Sequence, residues 1–297
     1  MAVAERRTRA PAAERSGPAV RAPSLAGRLL RSRHAVAGGG LGLALVVCAL
    51  LGPWLSPHDP INPQTASILA PPGGQHWLGT DELGRDMVAR LLFGARISLT
   101  VSALAVSLAA VVGVAVGVLA GYFGGRVDTV LMRVVDGFLA FPGLVLALSM
   151  VAFLGQSLTN IVIAVGTVAA PSFARLVRSQ VLVLRGQEFV QGAIVCGASH
   201  PRIMLRHILP NVASLIVVQA SLNSAFAILS EASLAFLGLG LPPPNASWGT
   251  MLRGGYQFVG VAPWLSITPG AAIFLAVLAF NLLGDGVRDA LDPRLRR

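Results

Sequence analysis

Arg202 and Arg206 stand four residues apart in the stretch CGASHPRIMLRHILPN at 196–211, with His200 and His207 beside them and Gly197 and Pro210 as punctuation. In an otherwise apolar chain this basic stretch is the first place to look for chemistry, and the residue types restrict what that chemistry is. His200 and His207 are seven apart and belong to no HExxH or Cys/His ligand pairing, so no metal ligation is expected from them. His58 and His76 also lack close ligand spacing, and no metal site is expected there either. No GxSxG elbow is present to supply a hydrolase nucleophile. All 23 basic residues are arginine. Without lysine the phosphate-cradling loop GxxxxGK[ST] cannot exist, and Schiff-base catalysis is excluded by the same fact. The expectation is a chain that is not an enzyme and binds no cofactor. If ATP drives it, another chain must hydrolyse the nucleotide.

What the stretch can offer is a surface. At a spacing of four, Arg202 and Arg206 share one face of a helix. Val190, Ala193, Ile194 and Gly197 recur at helical spacing, and Gly197 predicts a helix stop. Ser199 predicts the cap of a second helix with Pro201 in its first turn. Ile203, Met204, Ile208 and Leu209 would give that helix an apolar side, and Pro210 marks the start of the next apolar run. A helix–turn–helix with an apolar stripe fits a protein partner. On pattern alone it fits an interfacial helix on anionic lipid equally well.

The elements that must position this surface are membrane helices. The chain is 54% hydrophobic and 12% charged, with a mean hydropathy of +0.71; soluble domains carry about 25% charged residues. Residues 1–34 hold eight arginines among Ala, Pro and Ser, and predict a disordered basic cytoplasmic arm. The run 35–55 exceeds the core of a signal peptide, which is about 7–15 residues, and predicts an uncleaved first transmembrane helix. An extracytoplasmic segment is expected at 56–96, and a polytopic transmembrane region over 97–297. Its spans are expected at 97–122, 138–154 (kinked at Pro142), 160–173 (interrupted by Pro171), 212–229 and 265–283.

Arginine sets the orientation. With the N-terminus inside, the cytoplasmic segments hold nineteen arginines and the outer ones four, which predicts six spans with both termini cytoplasmic. The net charge of +10 is therefore a topology signal, and no nucleic-acid partner is expected. Trp54 and Trp264 predict an outer interfacial belt. Cys48 and Cys196 fall in the bilayer and the cytoplasm, so no disulfide is expected. The predicted spans hold no Asp, Glu, Lys, Arg or His, which argues against a proton-coupled pump but leaves a sodium site of carbonyls and hydroxyls open. Gly113 and Gly117 form a GxxxG, suited equally to packing within the chain and to a dimer interface. The outer stretch GTDELGRD at 79–86 reads either as a contact for a delivery protein or as a self-satisfied loop, and the self-satisfied loop is favoured. The Ala, Gly, Pro, Val and Arg bias suggests a GC-rich, bacterial source.

Several segments together resemble a known family. EFVQGAIVCGASHPRIMLRHILPN at 188–211 resembles the cytoplasmic EAA loop of ABC importer permeases, from Gly197 to Pro210 in the family spacing. It departs at Gln191-Gly192-Ala193, where Glu-Ala-Ala is usual. HWLGTDELGRDMVARLLFGARISL at 76–99, LAFLGLGLPPPNASWGTML at 234–252 and LAFNLLGDGVRDALDPRLR at 278–296 resemble the dipeptide/oligopeptide/nickel permease group, its second permease subunit above all. The likeness covers about residues 25–297.

The resemblance implies an all-α, polytopic type I ABC importer permease fold in the bacterial plasma (inner) membrane. It implies a homologous second permease, two cytoplasmic ABC ATPases that carry ATP and Mg, an extracytoplasmic solute-binding protein, and membrane lipid around the chain. It implies ATPase coupling through Glu188, Gln191, Gly192, Ala193, Gly197, Ser199, Arg202, Arg206, Leu209 and Pro210, with Gly197 making the turn and Ser199 to Leu209 docking. Arg202 and Arg206 would meet ATPase carboxylates. Peptides are the expected cargo. Nickel, glutathione or another small solute is the alternative within the family, and a stand-alone sodium-coupled carrier is the alternative outside it.

Overall fold

Long runs of Ala, Val, Leu and Gly with polar caps at their ends fold as helices wherever backbone groups must be satisfied within one segment. The computed structural model describes residues 29, 32–56 and 58–291 of the chain. The basic arm expected at 1–34 lies almost wholly outside the described residues, and so does the end of the 278–296 segment.

Helix α1 spans Arg33–Leu55 and α2 spans Met87–Phe123; α3 (Gly125–Leu139) and α4 (Gly143–Leu154) follow, then α5 (Leu158–Arg185). The short α6 (Glu188–Val195) and α7 (His200–Ile203) precede α8 (Leu209–Leu234), and α9 (Trp248–Tyr256) and α10 (Trp264–Leu291) complete the order. Side-chain oxygens of Ser32, Asp86, Ser157 and Ser247 cap α1, α2, α5 and α9, each accepting one of the unpaired amides of the first turn.

Among the described residues, five helices are long and apolar enough to cross a membrane, and a sixth crossing results when the bent pair α3–α4 counts as one span. That pair corrects the sequence expectation of a kinked helix over 138–154. The chain breaks at Ala140–Pro142 and turns by 86°. A residue before proline is pushed out of the helical region, so Phe141 ends one helix and Pro142 caps the next. Alone, the 12 residues of α4 reach only about 18 Å, short of a bilayer core.

Other spans outrun their predicted ends. Helix α2 starts at Met87, ten residues before the expected span, because Asp86 supplies the cap. Helix α5 runs straight through Pro171 to Arg185. The proline costs one backbone bond there, and packing by neighbouring helices tolerates it in a membrane span.

Close approach organises the bundle. An added Cβ at Gly117 would sit 2.6 Å from the Ala174 carbonyl oxygen, and at Gly121 2.8 Å from Val181 Cβ, while at Gly113 it would strike the Ala170 carbonyl. The glycines thus seat α2 directly on α5, so the GxxxG serves packing within the chain. Three apolar clusters lie along the bundle. One, around Met87, Trp248 and Leu265, holds α1, α2, α8, α9 and α10 together. The middle one is centred on Val101, Val165 and Phe173. The third joins Val118, Tyr122, Val177 and Val181 to α6 and α7. Ion pairs fasten α3 to α5: Arg178 holds Asp128 through two bonds of 2.5 and 2.6 Å, and Arg175 meets Asp136 at 2.7 Å.

The tryptophans divide. Trp54 is 80% exposed at the end of α1, as an interfacial residue would be. Trp264 is partly buried and donates Nε1–H to the Thr80 carbonyl at 3.3 Å. The GTDELGRD stretch is a self-satisfied loop. Asp81 accepts the Leu83 and Arg85 amides and the Arg85 Nε–H, all within 2.9 Å. Arg90 Nη1 lies 3.0 Å from the same carboxylate as an ion pair, off the line that a hydrogen bond requires.

Candidate functional site

The segment from Glu188 to Pro210 builds its own shape from local rules. Glu188 stands in the first turn of α6, where a negative charge meets the positive end of the helix dipole. The chain then reverses at Gly197, whose φ of +75° is a left-handed conformation that favours glycine. The Ala198 amide returns to the Ala193 carbonyl at 3.0 Å and the Gly197 amide to the Ile194 carbonyl at 2.9 Å, which closes the end of α6. Ser199 occupies the cap position of α7, but it is its carbonyl that acts, accepting the Ile203 amide at 3.0 Å; the hydroxyl makes no capping bond.

At the end of the segment Pro210 stands at the entry to the next apolar run, α8, as its place in the sequence suggested. Helix α7 continues through one wide π turn, Met204–Ile208, directly into α8. In that turn the Leu209 amide reaches back five residues to the Met204 carbonyl. Proline has no amide to donate and its ring crowds the carbonyl four residues earlier; the wider turn relieves that crowding, so Pro210 sits in the first turn of α8 without ending the helix. Residues 200–234 therefore form one continuous helical run.

The apolar side also points differently from the sequence expectation. Ile203 and Ile208 are 1% and 0% exposed, and with Val190 they pack on Val118 and Tyr122 of α2 and on Val177 and Val181 of α5. The stripe seats the segment on its own bundle, because apolar helix ends lie within reach. The surface turned outward consists of Leu205, 65% exposed, with Phe189, Ile194, Val195 and both guanidinium groups of Arg202 and Arg206. Gln191 is exposed and its amide donates to the Arg185 carbonyl at 2.7 Å, tying α6 to the end of α5. Around Gly192 there is open space, so the departure from an alanine there leaves no gap in packing. Leu209 is half-buried and Pro210 exposed.

One contact had no signal in the sequence. The Tyr122 hydroxyl lies 2.8 Å from His200 Nδ1, and the two rings meet edge to face. Seventy-eight positions separate them along the chain, and no spacing rule connects the end of α2 to the start of α7.

The resulting geometry is that of a lever. An exposed, basic knob sits on a rod that continues into a membrane span, and its root is held by two other spans. Residues 113–297 match the family described as binding-protein-dependent transport system inner membrane component, and residues 25–72 match the N-terminal transmembrane domain of oligopeptide transport permease C. The chain is 45% identical to the glutathione transport system permease protein GsiD of Pectobacterium atrosepticum over 91% of its own length and 90% of the relative's. It is 42% identical to the dipeptide transport system permease protein DppC of Alkalihalophilus pseudofirmus, covering 91% and 88%. A putative peptide transport system permease of Brucella suis is 43% identical, covering 91% and 90%. Among solved structures, the MetNI methionine ABC transporter in an inward-facing conformation shares the fold with a TM-score of 0.58 at 22% identity, over 69% of this chain and 98% of that one. The chain is a multi-pass membrane protein and belongs to the family of binding-protein-dependent transport system inner membrane components.

Proposed function

We propose that this chain is one half of the translocation pathway of an ATP-driven importer for short peptides, and that the segment Glu188–Leu209 transmits the motion of a cytoplasmic ATPase to the pathway. The observation that carries the reading is the unbroken rod from His200 into α8, rooted on α2 and α5. A force on Leu205, Arg202 or Arg206 is delivered to three spans at once, because packed helix ends move as a body. The exposed arginines suit carboxylates on the ATPase, and Leu205 suits an apolar groove beside them. A second, homologous permease would complete the pathway, two ATPases would hold ATP and Mg, and an extracytoplasmic protein would deliver the cargo. Nucleotide must bind the two states of the assembly unequally for the lever to move.

Short peptides are favoured over nickel because the relatives above are named for dipeptide, glutathione and peptide transport, and glutathione is itself a tripeptide. A carrier working alone on sodium has no support from a family defined by binding-protein dependence. The test is reconstitution with the partner permease, both ATPases and the binding protein in vesicles. Labelled di- and tripeptides should enter only with ATP, and the charge reversal Arg202→Glu with Arg206→Glu should abolish ATP-dependent uptake while the chain still inserts. Uptake by this chain alone, or full uptake by the reversed variant, would overturn the reading.

A further inference from the structure

Outside the lever, three metal-ligating side chains that lie far apart in sequence meet at one point. His58 follows α1, His76 lies in the loop that leads to α2, and Asp86 caps α2. Each offers one ligand atom, and these atoms all lie within 4.8 Å of one another. His76 Nδ1 is 2.9 Å from Asp86 Oδ2 and His58 Nδ1 is 3.8 Å from the same oxygen. Around a tetrahedral zinc-type ion, with bonds near 2.0–2.1 Å, neighbouring ligand atoms stand roughly 3.3 Å apart. The two observed distances bracket that separation.

The carboxylate divides its work in a way that favours a bound ion. Asp86 Oδ1 accepts the Ala89 amide at 2.9 Å as the helix cap, which fixes the group and leaves Oδ2 for both imidazoles. His58 is placed by a tight turn in which its amide donates to Ser56 Oγ at 3.3 Å and Ser56 Oγ donates back to the His58 carbonyl at 3.1 Å. The side chains of His76 and Asp86 are 10% and 4% exposed, and that of His58 is 30% exposed. Two ligands are thus set in the protein and the third stands at the solvent side. At 3.8 Å, His58 Nδ1 is beyond hydrogen-bond reach of the carboxylate, and its ring lies against that of His76, centroids 4.9 Å apart.

We propose that His58, His76 and Asp86 form a binding site for a single divalent transition-metal ion of the zinc type. Two imidazole nitrogens and one carboxylate oxygen suit zinc, nickel or copper, whereas calcium and magnesium take sets of oxygen ligands. The ion would close the loop between His58 and Asp86 and staple the end of α1 to the start of α2. The inference is independent of the cargo.

The experiment uses the full chain, purified in detergent with a tag that contains no histidine and stripped of metal with a chelator. Zn2+ is titrated against a chromophoric competitor, and Co2+ is added separately so that its visible absorption bands report nitrogen and oxygen ligation. One Zn2+ should bind per chain, Co2+ should develop bands that saturate at the same ratio, and Zn2+ should raise the thermal unfolding temperature. His58→Ala should weaken Zn2+ by about tenfold or more, as loss of one ligand does, while the metal-free variant unfolds at the wild-type temperature. His34→Ala, on the other side of the membrane, should leave binding unchanged. The absence of saturable Zn2+ binding in the wild-type chain would overturn the proposal, as would equal binding by His58→Ala or equal loss in His34→Ala. None of those outcomes bears on transport.

Discussion

The Tyr122 hydroxyl and His200 Nδ1, 2.8 Å apart, join the last turn of α2 to the first residue of α7. With Val190, Ile203 and Ile208 wedged beneath them, they make the root of the lever. Tyr122→Phe keeps the ring and removes one hydrogen bond, worth about 1 kcal/mol. Membrane levels should be unchanged, and the number of peptides imported per ATP hydrolysed should fall several-fold as the lever slips. Paired uptake and phosphate-release measurements read that ratio, and an unchanged ratio would count against a coupling role for the contact.

Gly197 and Gly192 both have open space around them but differ in backbone conformation, and so in expectation. At φ +75° a β-branched side chain is strained by at least about 1–2 kcal/mol, so Gly197→Val should distort the turn and depress uptake while insertion persists. Gly192 is helical with open space around it, and Gly192→Ala should stabilise α6 by up to about 1 kcal/mol and leave uptake equal or higher. A thermal shift assay and peptide uptake on both variants test the pair; a silent Gly197→Val would remove the turn from the mechanism.

Gly117 and Gly270 separate close packing from mere composition. A leucine at Gly117 has to displace the Ala174 carbonyl and Val177, so Gly117→Leu should prise α2 from α5 and the chain should be lost to proteolysis. At Gly270 an added Cβ meets nothing within 4 Å, and Gly270→Ala should accumulate like the wild type. Immunoblots of membrane fractions distinguish them.

Glu231 is 2% exposed and accepts the Ser98 hydroxyl at 3.0 Å, while Ser98 Oγ in turn accepts the Trp248 amide at 3.3 Å. This chain of contacts ties α8, α2 and α9 together. Glu231→Gln keeps an acceptor and should unfold near the wild-type temperature. Glu231→Leu strands the Ser98 hydroxyl at a cost of about 1–3 kcal/mol and should unfold several degrees lower in detergent. Equal melting of the two variants would show that the carboxylate's hydrogen bond adds nothing.

The sequence by itself determined the class, the approximate spans and the place where the chain turns between α6 and α7. Those follow from quantities that accumulate along the chain: apolar length, and the Gly197 and Ser199 signals at fixed offsets. The kink it placed at Pro142 is an outright break between two helices, whereas Pro210 enters α8 without one, because whether a proline breaks a helix depends on what can absorb the lost bond. A sharp turn absorbs it after Phe141, and a π turn absorbs it before Pro210. Only the tertiary structure decided which way the apolar stripe of α7 faces, since Ile203 and Ile208 fit a partner's groove or their own bundle equally well until α2 and α5 are in place. The same holds for Tyr122 with His200, and for His58 and His76 with Asp86. Such pairs are made by folding distant segments together, and periodicity carries no record of them.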